Sequence, residues 1–327
     1  MNDSSLPVKV VFVAGGQGAQ YLGMGLDLYR NDERFRNHLQ TALPTDDPTL
    51  NSIRISWESQ DDRSKNSTPY VQTLLAALGF ASARRLYDMG LVPDVLLGHS
   101  AGEFALACSS GLIDDAELSR VLRQRAIFLD GIEVPGAMVA IRASEREVQR
   151  IIEETASTVF IATVNSVNQC VVAGEKVAVA NFCAEAKRRS ILAVAAESEL
   201  PFHTPLMQGP ADSFAAILSS AKLKPLVHPL FSTVTCSWLT PAEAVSACFW
   251  ASHLSRPVQF WRSIEALLQD GDCVFIDLGP GTSLSAILGS HPSIRHGESR
   301  VISLMPQRSA EPGHQLWMDR ARAIVED

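Results

Sequence analysis

The sequence predicts an α/β protein: a large domain on a mainly parallel sheet, with a small α+β unit inserted near its middle. Three stretches carry this expectation. Residues 8–13, V-K-V-V-F-V, are an almost continuous β-branched run, the pattern of a parallel-type strand buried on both faces. Residues 94–108, D-V-L-L-G-H-S-A-G-E-F-A-L-A-C, read as a short apolar strand, a sharp turn and a helix. Near Pro135 the pattern changes, and strands and helices then follow in the order β-α-β-β-α-β, that of a ferredoxin-like unit.

Bulk properties narrow the function classes. The 327 residues suffice for one large domain or two smaller ones. With 46% hydrophobic and 20% charged residues, the composition is that of a soluble globular enzyme. No apolar run approaches the roughly 20 residues of a bilayer span. The opening M-N-D-S-S-L-P-V-K-V has no signal-peptide core, so no membrane association and a cytoplasmic location are expected. The net charge of −8 argues against nucleic acid as a partner. The six cysteines show no C-x-x-C spacing and read as reduced core residues. The eight histidines include no H-E-x-x-H, so no metal site is expected.

Taken in order, the first strand ends in A-G-G-Q-G-A-Q at 14–20. Neither G-x-G-x-x-G nor G-x-x-x-x-G-K-[ST] is present, which weakens a phosphate-binding reading. The loop can instead bring a backbone N–H close to a reacting group. A helix is expected to begin over 21–29, and the polar, weakly periodic stretch 30–65 reads as short helices and loops. Thr68 and Pro69 supply a capping residue and a first-position proline for a helix through Tyr70, Leu74, Leu75 and Leu78.

Then comes G-x-S-x-G, with Gly98 and Gly102 flanking Ser100. This is the nucleophile-elbow pattern, which exposes the serine Oγ on a tight strand-to-helix turn and gives the large domain a hydrolase-like core. A Cβ at either glycine would crowd the turn. The following helix aims its free N–H groups at negative charge developing beside the serine. Ser100 is therefore the candidate nucleophile; the bland alternative is a helix-capping serine. The next helix, past Asp114, carries Arg125.

The inserted unit reads as strands over 136–141, 159–164, 169–173 and 191–195, with helices over 144–155 and 177–189. The expected division is a large domain of residues 1–134 and 205–327 and a small one of 135–204. Further strands are expected at 230–234 and 274–278. Between them 249–268 is mostly helical and broken at Pro257, and the tail from Pro312 is polar with one short helix.

A serine hydroxyl needs a base. His203, in P-F-H-T-P where the insertion returns to the main sheet, is the candidate, against the alternative of an ordinary turn residue. His99 is expected to point to the opposite side of the chain. An ordinary α/β-hydrolase fits poorly: a late acid and an H-G-G-G loop are not evident, and the inserted unit is foreign to that fold.

With Gln17, Ser100, Arg125 and His203 identified, the sequence resembles the malonyl-CoA:acyl-carrier-protein transacylase family, both free-standing enzymes of fatty-acid synthesis and acyltransferase domains of polyketide synthases. The shared blocks run in order along nearly the whole chain. They are G-Q-G-A-Q at 16–20, G-H-S-A-G-E at 98–103, R-A-I-F-L at 125–129 and N-S-V-N-Q-C-V-V-A-G at 165–174. P-F-H-T-P-L-M at 201–207, W-A-S-H-L-S-R-P-V-Q-F at 250–260 and D-L-G-P-G-T-S-L at 277–284 complete the set.

The resemblance implies ping-pong acyl transfer. His203 deprotonates Ser100, which attacks an acyl-CoA thioester; backbone N–H groups of Gln17 and Ala101 hold the oxyanion. The phosphopantetheine thiol of an acyl carrier protein then takes the acyl group. It also implies that a backbone carbonyl at His253 orients His203, that Asn165 supports the site, that Arg125 binds the malonyl carboxylate and that Phe202 limits space for an α-methyl group. No bound cofactor is implied, and a monomer acting in trans is expected. Gly15, Ala101 and Val167 depart from the usual proline, bulkier residue and proline of the family, and the small Ala101 leaves room beside Ser100. Lys187, Arg188, Arg189, Arg142, Arg146 and Arg150 form the basic patch expected to dock the carrier. Two alternatives stay open: carrier-to-carrier transfer of a bulkier acyl group, and a proofreading thioester hydrolase.

Overall fold

The structure, a computed structural model, describes residues 8–61, 67–196, 198–305 and 313–326. The opening residues read for a signal peptide, the end of the polar stretch at 62–65 and Pro312 lie outside them.

Among the described residues, ten strands form two sheets: β1 Lys9–Ala14, β2 Val95–Gly98, β3 Ala137–Ile141, β4 Phe160–Ser166, β5 Gln169–Gly174, β6 Ala193–Ala195, β7 Leu230–Ser232, β8 Ser237–Trp238, β9 Cys273–Asp277 and β10 Arg300–Ser303. The large sheet has the order β10-β9-β1-β2-β7-β8. Its pairings are parallel except that of β7 with β8. The small sheet, β4-β5-β3-β6, is antiparallel throughout. The fold is thus α/β, a mainly parallel sheet with an antiparallel second one.

Alternation along β1 shows why its run is apolar on both faces. Phe12 and Ala14 enter one core with the helices Thr68–Tyr87, Ala101–Ser109 and Asp115–Asp130. Val11 and Val13 enter a second core that also holds Val139, Ile141 and Val172 of the small sheet and Phe260 and Ile264 of the helix Phe260–Gln269. The parallel strands β1, β2 and β9 end together: Ala14 pairs with Gly98, and Val13 with Asp277. Loops leaving the carboxyl ends of parallel strands are where such sheets bind ligands.

Several elements differ from expectation. Gly23 and Gly25 have positive φ, so the first helix begins only at Leu26. The weakly periodic stretch folds into the helices Glu33–Ala42 and Pro48–Glu58, capped by the Asp32 and Asp47 side chains. Their apolar residues are few, but Phe35, Leu39, Leu50 and Trp57 are fully buried. The tail helix Gly313–Glu326 is long rather than short, and buries Trp317 and Ala321. Strand β10 went unread, because R-V-I-S is too short to show a period.

Candidate active site

The elbow forms as the motif requires. A Cβ on Gly98 would lie 2.0 Å from the Glu103 Cα, and one on Gly102 would lie 2.1 Å from the Ala14 carbonyl oxygen. Only glycine lets the helix start so close to β1. Ser100 between them has φ 55° and ψ −126°, a strained conformation for an L-residue. Its Oγ is 2.8 Å from His203 Nε2.

His203 is also at positive φ, 64°, and its backbone N–H donates to the Leu254 carbonyl. Its Nδ1 lies 3.1 Å from the Arg256 carbonyl oxygen. A carbonyl can only accept, so Nδ1 carries the proton and Nε2 is free to accept from Oγ–H. Burial, and then the neighbouring His99, push His203 down to about 4. The ring is therefore neutral near pH 7, as a proton acceptor must be.

The resemblance implies that the His253 carbonyl orients the ring. The 3.1 Å hydrogen bond goes to Arg256, and the His253 backbone adds a second, lesser favourable contact. His253 is where the helix Ala247–Ser252 ends. The chain turns there, and the carbonyl that meets the ring comes three residues later. That segment is pinned beyond Pro257: Val258 N–H donates to Ala162 O, and Val164 N–H donates to Val258 O, both at 2.9 Å. The outer strand β4 of the small sheet therefore braces the turn that holds His203. The His253 side chain is buried, its Nε2 3.6 Å from Glu103 Oε1. Burial pushes His253 down to about 3 and Glu103 up to about 7.

His99 does not point away. It lines the same cleft as Ser100, because the elbow turns the chain over the small sheet. Its Nε2 lies 2.9 Å from Asn165 Oδ1, so this ring holds Asn165 and leaves Ser100 to His203. Gln17 also lines the cleft, and a Cβ on Gly16 would lie 3.1 Å from the Ser100 Cβ, so the loop runs against the elbow. Ala101 opens the elbow helix and contributes to a recess beneath Ser100. The cleft, about 460 Å³, is walled on its far side by Met138, Ala140 and Val194 of the small sheet.

The recess is small, about 30 Å³, and holds Arg125 together with Ser100, Phe202 and His203. Arg125 is 7% exposed. Nη2 donates to Gln72 Oε1 at 2.6 Å, whereas Nη1 is buried with no hydrogen-bond partner. Burial lowers its pKa only to about 10, so it stays charged at neutral pH. An unmet buried donor is costly, and an anion in the recess would relieve that cost.

The structure thus gathers Ser100, His203, Gln17, Ala101, Arg125, Phe202 and Asn165 around one cleft and its recess. Gln72 and the Arg256 carbonyl were missed. A glutamine inside an otherwise apolar helical run was the available signal for Gln72; a backbone carbonyl leaves none. The expected basic patch is partly neutralised, since Arg150, Arg188 and Arg189 pair with Glu154 and Glu185. Among the described residues no cluster of His, Cys, Asp or Glu could hold a metal ion, and no helix is long and apolar enough to cross a membrane.

The profile of the acyl transferase domain family matches residues 11–307. The phenolphthiocerol synthesis polyketide synthase type I Pks15/1 of Mycobacterium bovis is 32% identical over 304 residues, covering 91% of this chain and 14% of that protein. The chain spans less than a fifth of the length of the first curated relatives it matches. The acyl transferase domain of SpnD, solved in complex with 2-(pent-4-yn-1-yl)malonyl, superposes with a TM-score of 0.86 at 28% identity, covering 98% of this chain and 76% of that one. FabD from Acinetobacter baumannii superposes at 0.83 with 25% identity, covering 98% and 99%. By profile and fold, the chain belongs to the acyl transferase domain family, among polyketide synthase acyltransferase domains and malonyl-CoA:acyl-carrier-protein transacylases.

Proposed function

We propose that the protein moves a malonyl group from CoA, through an ester on Ser100, to the phosphopantetheine thiol of an acyl carrier protein in polyketide or fatty-acid assembly. One observation carries this reading: the 2.8 Å Ser100–His203 contact adjoins a recess in which Arg125 keeps a buried nitrogen without a partner.

The steps follow from the groups present. Neutral His203 accepts the Oγ proton as Oγ attacks the thioester carbonyl. The tetrahedral oxyanion sits between the backbone N–H groups of Gln17 and Ala101, one from the loop after β1 and one from the helix start. As the intermediate collapses, the C–S bond breaks and the CoA sulfur leaves with the proton from His203. In the second half the carrier thiol gives its proton to His203 and attacks the acyl-serine. Oγ then leaves and takes that proton back. Throughout, the Arg125 fork holds the free carboxylate, a pairing that suits guanidinium geometry.

Transfer of a bulkier acyl group is the second reading. The small Ala101 side chain favours it, as does the substituted malonyl held by the SpnD relative. A hydrolase of plain acyl chains gives Arg125 nothing to bind. Intact-protein mass spectrometry after incubation with a panel of acyl-CoAs is the test. A malonyl adduct on Ser100 that passes to a carrier protein is expected. Adducts only from large acyl groups lacking a carboxylate would overturn the malonyl reading.

A further inference from the structure

Gln72 lies outside every motif of the chain, yet it lines both the cleft and the recess. It sits in the helix Thr68–Tyr87, with Val71, Leu74 and Leu75 buried around it, and is itself 5% exposed. A buried amide needs partners. Its Oε1 accepts from Arg125 Nη2 at 2.6 Å. Arginine only donates, so the orientation of the amide is fixed. Nε2 must therefore face the other way, where it makes a long 3.5 Å contact with Gln17 Oε1 of the loop beside Ser100.

The partner of Arg125 is thus neutral. Among the described residues Arg125 makes no ion pair, and the Cys108 thiol beside it is held in its uncharged form by burial. Glutamine and glutamate have almost the same shape, and a glutamate here would cancel the arginine charge within the recess. Methionine would keep the volume and lose the acceptor.

We infer that Gln72 is a positioning residue that sets the acyl preference of the enzyme: it holds one arm of Arg125 through a neutral amide and leaves the charge of the guanidinium to the acyl group. The inference rests on the malonyl reading above and adds the group that keeps Arg125 available. A second carboxylate entering a recess already neutralised by glutamate would be an unpaired buried anion, which Arg125 could no longer offset.

The test compares wild type, Gln72→Glu and Gln72→Met, with KM and kcat measured for malonyl-CoA and acetyl-CoA at fixed carrier protein. Gln72→Glu is expected to lower the malonyl-to-acetyl ratio of kcat/KM by at least about tenfold, as loss of one buried charge-assisted contact does. Gln72→Met is expected to raise KM for malonyl-CoA several-fold and to leave KM for acetyl-CoA where it was. Damage to packing would instead hit both substrates alike. If Gln72→Glu is inactive with both, the KM split in Gln72→Met decides. A wild type with no preference for malonyl overturns the underlying reading. A wild type that prefers malonyl, with both variants keeping that preference and its KM, overturns the role of Gln72 alone.

Discussion

Ser100 and His203 stand on backbone that L-residues rarely adopt, with φ of 55° and 64°, and a backbone carbonyl orients the ring. Arg125 and Gln72, which line the recess, project from regular helices and meet through side chains alone. The first pair is held by main chain that cannot be changed one residue at a time. The second is held by side chains that can. On the proposed reading, reaction chemistry and choice of acyl group rest on different parts of the molecule, and substitutions should sort by which part they touch.

The largest effect belongs to Ser100→Ala, which removes the proposed covalent carrier. No acyl-enzyme should be detected by intact mass with any acyl-CoA, and an adduct equal to that of wild type would break the division at its root. His203→Ala should slow acylation by about 10²–10⁴, the range for general acid–base help. A near wild-type rate at neutral pH would mean that another group takes the proton. Arg125→Ala should spare the chemistry and strike the choice. Losing a buried charge-assisted partner costs roughly 2–5 kcal/mol, and about 1.4 kcal/mol is a factor of ten, so malonyl transfer should fall at least tenfold while acetyl transfer does not. Equal losses would make Arg125 structural.

The smallest effect is in the pH profile. Protonated His203 cannot accept a proton, and burial holds it down to about 4. The acid limb of kcat/KM for acetyl-CoA, which has no carboxylate of its own, should therefore fall through about pH 4 and not near the ordinary histidine value of about 6.5. A limb near the ordinary value would mean that water reaches the ring before substrate does. The same shift acts on stability. A histidine depressed in the folded state contributes stability above its unfolded pKa, and that contribution is lost as pH falls from about 6.5 toward about 4.

What could be read beforehand follows the same division. The elbow was legible because glycine is the only residue that fits where Cβ atoms would meet Glu103 and Ala14, so the spacing survives in the letters. The strand and helix order of the small unit was legible because each element buries one face. The Arg256 carbonyl that meets His203 Nδ1 left no mark in the letters, since any residue can supply a carbonyl and only the path of the turn decides which one arrives. Gln72 and Arg125 are 53 residues apart, and their contact forms only when two helices pack. Strand β10 was hidden by brevity.

The seam between β4 and Val258 sets a rule for anyone exchanging parts between relatives. Residues 135–204 look like a cassette, its two ends tied where Gly136 N–H donates to the Glu199 carbonyl. Yet Ala162 and Val164 grip Val258 from inside that cassette, while Arg256, two residues earlier, holds His203. A graft that brings a foreign β4 without its matching segment over 256–258 would leave His203 unaligned, even with every letter of the motifs intact. The unit of exchange is the cassette together with this distant stitch.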